Sequence, residues 1–157
     1  MPLEIAVAML ERQEQWLLQL RDDIPGIVHP GTWGLFGGHL DPGETPEQAA
    51  IRELQEELCI TPTDISRVGR LMFAFVDGYH LEAWVFRAEG MIGEPTPGPE
   101  AIPFWNSVHT IPFERMWADD KEWFPHLIQR VPFEGRFVFD GDTMLGGDVV
   151  APVSEGQ

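Results

Sequence analysis

Basic residues are scarce. The 157-residue chain carries 10 lysines and arginines against 26 aspartates and glutamates, a formal net charge of −16. Such a chain has no basic stripe to lay along a phosphate backbone, which argues against a nucleic acid polymer as partner. Cysteine is nearly absent, and the single Cys59 excludes an intramolecular disulfide. No run of about 20 apolar residues occurs, so no helix is expected to span a membrane. The opening MPLEIAVAMLER lacks the basic start and long apolar run of a secretory signal. A cytoplasmic protein with no membrane contact is the expectation. Tyrosine occurs once, at Tyr79, and there is no internal repeat or interdomain linker. Apolar residues, by contrast, make up 43% of the chain, enough for one domain with a real core.

The chain is organised around WGLFGGHLDPGETPEQAAIRELQEELCI, Trp33 to Ile60. Thr45 is placed to cap a helix, because its hydroxyl can accept from an orphan backbone N–H. Gln48 three residues later completes a capping box. Pro46 falls at the first helical position, where its missing N–H costs nothing. The helix should run to about Leu58, with Ala50, Ile51, Leu54 and Leu58 on the core face. Glu53, Glu56 and Glu57 gather on the other side, within a turn of one another, and Arg52 lies four residues before Glu56. Like charges at these spacings cost a few tenths of a kcal/mol per pair. A divalent cation among them would offset that cost, and all-oxygen ligation points to Mg²⁺ or Mn²⁺ rather than zinc. The bland alternative is a solvated acidic face.

The preceding loop favours the cation. Gly37-Gly38 lets the backbone approach a ligand closely. Asp41-Pro42-Gly43-Glu44 has the residues of a type II turn and brings Glu44 back toward the same side.

Gly38, five residues, Glu44, seven residues, then Arg52-Glu53-Leu54-Gln55-Glu56-Glu57-Leu58-Cys59-Ile60 resembles the Nudix box. Every charged position of that pattern is filled. The one departure is Cys59, where the family has a glycine that leaves the helix in a left-handed conformation. The resemblance implies cations held by glutamates of this helix, Glu53, Glu56 and Glu57, and by a carbonyl of the glycine turn, here Gly37. It also implies an α/β/α sandwich around a mixed β-sheet, an α+β arrangement.

Taken in order, Leu3–Leu10 and Trp16–Leu20 read as a hairpin, and Trp33–Phe36 as a short strand. Val68–Val76 and Tyr79–Ala88 flank Asp77-Gly78, a strong hairpin turn. The Pro/Gly-rich stretch from Gly90 to Pro103 is a loop, and Phe104–Val108 a further strand. Asp119 or Asp120 caps a second helix reaching Val131, with Trp123 and Leu127 in its apolar stripe. Arg136–Phe139 is a last strand. The catalytic domain would span residues 1–140, with a Gly-rich, polar tail from 141 to 157.

Other residues carry two readings each. Arg52 orients a neighbouring glutamate or forms an ordinary surface pair. Glu44 reaches the catalytic water, pairs with Arg52, or sits near the helix N-terminus as a turn residue. The general base is Glu53, Glu56 or, since family members also draw on a later loop, Glu100, with Glu94 as runner-up. For substrate contacts, Arg21 and His29 flank the loop before Trp33. Trp33 stacks on a base or belongs to the core. His39 contacts a phosphate or bonds backbone at a strand end. Cys59 is read as packing, because no base partner accompanies it.

The resemblance implies a Mg²⁺-dependent hydrolase of the phosphoanhydride bond in a nucleoside diphosphate linked to another group, such as a nucleotide sugar or a nucleoside triphosphate. The partner would be a small nucleotide, and a homodimer stays open. The rival is a Nudix-fold domain that binds a nucleotide without cutting it, against which the complete charge set argues. A Nudix-fold isoprenoid diphosphate isomerase would need a catalytic cysteine, a role that does not suit Cys59. ADP-ribose-cleaving relatives carry a proline after the box, and Thr63 to Gly93 contains none.

Overall fold

The computed structural model describes residues 3–12, 15–21, 32–96 and 102–151, with the side chains of 19–21, 32, 33 and 102 outside that description. The strands are β1 (Leu3–Arg12), β2 (Gln15–Arg21), β3 (Thr32–Gly34), β4 (Phe36–His39), β5 (Thr61–Phe75), β6 (His80–Ile92), β7 (Ile102–Ser107), β8 (Phe133–Asp140) and β9 (Thr143–Val150). Helix α1 (Pro46–Leu58) lies between β4 and β5, and α2 (Asp120–Ile128) between β7 and β8. The sheet is mixed and runs β3-β2-β1-β6-β5-β8-β9, with β4 also paired to β1 and β7 to β2.

Alternation along the central strands creates two cores. Ala6, Ala8 and Leu10 of β1 and Phe86 and Ala88 of β6 meet Ala49, Ala50, Leu54 and Leu58 of α1 on one face. Met9 of β1 and Ala83 and Val85 of β6 share the other with Trp123, Phe124 and Leu127 of α2 and with Phe133, Phe137 and Phe139 of β8. This is the expected sandwich, and it follows from the period of two. The β3–β4 segment passes between the layers. Leu35 packs into the α2-side cluster and its neighbour Phe36 into the α1-side cluster.

The start of α1 matches its sequence. Thr45 accepts from the Gln48 backbone at 3.1 Å, and the Gln48 side chain accepts from the Thr45 backbone at 2.9 Å. One core position differs: Ala49 is buried and Ile51 only half-buried. The helix exit keeps the left-handed geometry despite the missing glycine, with Cys59 at φ 60° and its N–H bonded to the Gln55 carbonyl. A side chain in that region costs roughly 1–2 kcal/mol. Cys59→Gly is therefore expected to stabilise the fold by about 1 kcal/mol, as read from the denaturant midpoint.

Further expectations need correction. The stretch from Trp33 to Phe36 is not one strand but the junction of β3 and β4. α2 stops at Ile128, before Val131: Arg130 turns left-handed at φ 61° and the Val131 N–H returns to the His126 carbonyl. Residues 141–150 are not a tail, because β9 pairs antiparallel with β8 from Asp140↔Thr143 to Glu134↔Val150. A Gly-rich edge strand has few apolar residues to betray it, since only one side packs. The final residues, 152–157, lie outside the described residues.

Arg87, buried on the α2 side, secures the end of that helix. It donates to the Leu127 carbonyl at 2.7 Å and pairs with Glu89 at 2.9 Å and with Glu11. Arg130 pairs with the same two glutamates.

Candidate active site

The glycine turn and α1 meet at close range. β4 lies antiparallel to β1, with Gly37 opposite Val7 and Gly38 opposite Ala6. A Cβ on Gly37 would stand 2.0 Å from the Ala6 carbonyl oxygen, so only glycine lets this strand lie so close to β1. A Cβ on Gly38 would stand 2.6 Å from the Glu53 carboxylate. The missing side chain leaves the Glu53 oxygens directly against the β4 backbone.

Arg52 is the hub of the site. Its Nε donates to Glu44 at 2.8 Å and its Nη2 to a second Glu44 oxygen at 3.0 Å. Nη1 reaches Glu53 at 3.0 Å and Glu56 at 3.2 Å, and Nη2 also donates to the His39 carbonyl at 2.9 Å. Asp41 adds a further ion pair at 3.3 Å. One planar guanidinium thus ties the strand end, the turn and the helix together. The hydrogen bond from Arg52, followed by one from the Asp41 backbone, holds Glu44 below the usual carboxylate range. Arg52 is itself made more basic, chiefly by Glu44.

The structure brings together Glu44, Arg52 and Glu53, with Glu56 at the exposed rim, its side chain 61% accessible. Glu57 follows on α1, with Oε1 buried. His39 is exposed at the end of β4, and the contact it makes here is through its carbonyl. Glu94 stands apart, since Arg12 holds it at 3.1 Å and that guanidinium lies 4.3 Å over the Trp105 ring. Glu100 and His29 lie outside the described residues. Arg21 ends β2 and Trp33 lies in β3, but their side chains are likewise outside the description. Tyr79 packs on Phe75 with ring centroids 5.4 Å apart.

The sequence predicts a helix cap at Asp119 or Asp120, and the structure uses Asp119 differently. Asp119 precedes α2, but its side chain makes no cap bond. Its Oδ2 instead accepts from the Trp123 indole N–H at 2.8 Å, and its residue is only 3% exposed. Asp120 is half-buried, and the two carboxyl groups hydrogen-bond each other. Burial raises both above the usual range, and Asp120 is pushed much further up by burial and then by the charge on Asp119. Adjacent acids ahead of an apolar run look like a cap. The signal that separates the two is Trp123, four residues on, whose N–H must find an acceptor if buried.

Comparison with known proteins decides the family. Residues 2–127 match the NUDIX domain family.

The chain belongs to the Nudix family.

It is 41% identical over 116 residues to the oxidized purine nucleoside triphosphate hydrolase of Danio rerio, covering 73% of this chain and 74% of that protein. It is 48% identical over 67 residues to the 8-oxo-dGTP diphosphatase of Escherichia coli K12, covering 43% and 50%. The crystal structure of a mutator MutT protein from Bacillus halodurans superimposes with a TM-score of 0.84 over 94% of this chain and 97% of that one, at 23% identity, a likeness of fold.

Nudix hydrolases generally need a divalent cation, and the residues present suit one. The donors around Gly38 are carboxylate and carbonyl oxygens, as a hard cation requires. The glycines open the approach to Glu53 that a Cβ would fill. Among the described residues no three carboxylate, imidazole or thiol groups stand close enough to form a ready cage. Arg52 engages Glu53 and Glu56 in the geometry seen. No helix among the described residues is long and apolar enough to cross a membrane.

Proposed function

We propose that this Nudix protein hydrolyses oxidised purine nucleoside triphosphates, cleaving the phosphoanhydride between the α- and β-phosphates to release a nucleoside monophosphate and pyrophosphate. The observation that carries the hydrolytic reading is the carboxylate set gathered by Arg52 against the Gly37–Gly38 backbone. Glu53, Glu56 and Glu57, with the Gly37 carbonyl, would hold Mg²⁺ or Mn²⁺. When bound, the cation would screen the phosphate charge and acidify the attacking water. Glu53 or Glu56 accepts that water's proton. Arg52 fixes the carboxylates so that the acceptor is held in place for the attacking water. The complete charge set favours this over a domain that only binds.

The relatives' substrates and the Asp119–Asp120 pair support the choice of nucleotide over a nucleotide sugar. Two adjacent desolvated carboxyl groups share a proton, so one donates while the other accepts. An oxidised purine ring carries both N–H donors and carbonyl acceptors and suits such a pair. Trp117, half-buried beside Phe139 with ring centroids 5.6 Å apart, supplies an aromatic surface two residues before Asp119. The β3–β4 segment, bearing Leu35 on this side and leading to Gly38 and Glu53 on the other, links the two ends of the site.

The two glycines give a contrast that tests the phosphate end. In Gly38→Ala the clash is with the end of a side chain, so melting temperature should hold while kcat/KM for an oxidised purine triphosphate falls roughly ten- to a hundredfold. In Gly37→Ala the clash is with backbone, so the fold itself should suffer. Full activity in Gly38→Ala would contradict Glu53 as a working group.

A further inference from the structure

We infer that Arg12 is a positioning residue for the last turn of α1: stacked on Trp105 and paired with Glu94, it holds the segment 93–96 onto the helix exit, directly beyond Glu57. This role rests on the cation set proposed above, in which Glu57 is a ligand.

The exit of α1 is closed from outside the helix. A helix leaves its last carbonyls without intrahelical donors. Here the Cys59 N–H returns to the Gln55 carbonyl, and the Leu58 carbonyl accepts from the backbone N–H of Thr96 at 3.1 Å. That bond ties α1 to the chain beyond β6. Gly93 permits the approach: its φ is 98°, and a Cβ there would stand 3.2 Å from the Cys59 carbonyl oxygen. The Thr96 hydroxyl donates to the Glu94 carbonyl at 3.2 Å and stiffens the segment. β6 ends at Ile92, so its ladder does not hold these residues.

Arg12 supplies the hold. At the end of β1, its Nη1 donates to both Glu94 oxygens, at 3.1 and 3.3 Å. The guanidinium lies 4.3 Å over the Trp105 ring of β7, and Trp105 packs against the cluster that contains Leu58 and Ile60. An exposed ion pair between two free side chains is worth little. Stacking on an anchored indole restricts this guanidinium before it meets Glu94, which makes the pair a clasp. The contacts run on without a gap, from Trp105 to Arg12, Arg12 to Glu94, and Thr96 to Leu58. Arg52 thus secures Glu44, Glu53 and Glu56, and Arg12 secures the backbone that follows Glu57.

The test adds Mn²⁺ alone to the nucleotide-free protein, with bound ion read from loss of the free-ion EPR signal and exchange of the Thr96 amide read by ¹⁵N NMR. In Arg12→Ala, Thr96 exchange should quicken about fivefold and the Mn²⁺ dissociation constant should rise about fivefold, at an unchanged melting temperature. Glu94→Ala alters a side chain that is 78% exposed, so it folds whatever Arg12→Ala does, and it should reproduce both effects. The double variant should add little, because both changes break one contact. Arg12→Lys should recover only part, since an ammonium keeps the charge and loses the planar stacking. In turnover of an oxidised purine triphosphate, Arg12→Ala should raise the half-saturating Mg²⁺ concentration about fivefold at nearly constant kcat. Thr96 exchange or Mn²⁺ affinity at the wild-type value in folded Arg12→Ala or Glu94→Ala overturns the inference. Glu57→Gln separates the two claims, since it should weaken Mn²⁺ binding and leave Thr96 exchange alone. A wild type that binds no Mn²⁺, or a Glu57→Gln protein that binds it equally well, overturns the cation reading and this role with it. Affinity that depends on Glu57 and not on Arg12 overturns this role alone.

Discussion

Glu57→Gln should lower kcat about a thousandfold while leaving the fold intact. The amide is nearly isosteric, so replacing the half-buried Glu57, one of whose oxygens is buried, leaves the packed volume unchanged. What is lost is a negative oxygen donor in the set proposed to hold the cation. A thousandfold corresponds to about 4 kcal/mol of transition-state stabilisation, within what a cation supplies at a transferring phosphoryl group. The measurement is initial rate at saturating oxidised purine triphosphate, with far-UV circular dichroism and melting temperature as controls. Raising Mg²⁺ should restore part of the loss if affinity was the component removed. Near wild-type turnover would sink the ligand assignment.

Arg52→Ala should cost about a hundredfold in kcat/KM and also flatten the acid side of the stability profile. Groups that orient ligands are typically worth 10–100-fold in activity or metal affinity. This one orients Glu44, Glu53 and Glu56 together with the His39 carbonyl. Arg52→Lys should rescue little, because a point charge cannot serve a carboxylate, a carbonyl and two further carboxylates from one planar fork. The sign of the pH effect follows from Glu44. Its carboxyl is depressed in the folded state by Arg52, so its contribution is complete above the unfolded value of about 4.3 and is lost as pH falls through the lower folded value. Wild type should thus lose stability on acidification across that window, and Arg52→Ala should lose less there. Urea unfolding across acidic pH reads this directly. A parallel acid limb in both proteins would show that the Arg52–Glu44 bond is energetically idle.

Local chemistry made α1 legible before any coordinates. The capping box at Thr45, the proline after it and the apolar stripe are short-range rules, and each is found in the fold. The hairpin at Asp77-Gly78 is legible for the same reason, and the Asp77 side chain accepts from the Tyr79 N–H at 2.9 Å. The Arg52–Glu56 pair could be read from helical spacing, but not the reach of Arg52 to Glu44, Asp41 and the His39 carbonyl, which depends on where the turn folds back. Burial was the harder matter. Ala49 displaced Ile51 from the core because α1 meets the sheet slightly rotated from the stripe's centre. Asp119 and Asp120 read as caps because sequence reveals adjacency and not desolvation, which only the assembled fold supplies. β9 escaped because Gly146-Gly147 and its polar neighbours carry the signature of a loop, and its pairing with β8 is a property of the assembled sheet.

The most direct test of the account is product analysis on a panel of 8-oxo-dGTP, dGTP, nucleotide sugars and dinucleoside polyphosphates, each with Mg²⁺, with Mn²⁺ and with EDTA. The account predicts metal-dependent release of pyrophosphate and a nucleoside monophosphate, with the oxidised purine triphosphate preferred by kcat/KM. Cleavage that survives EDTA, preference for a nucleotide sugar, or nucleotide-induced thermal stabilisation with no turnover across the panel would contradict it.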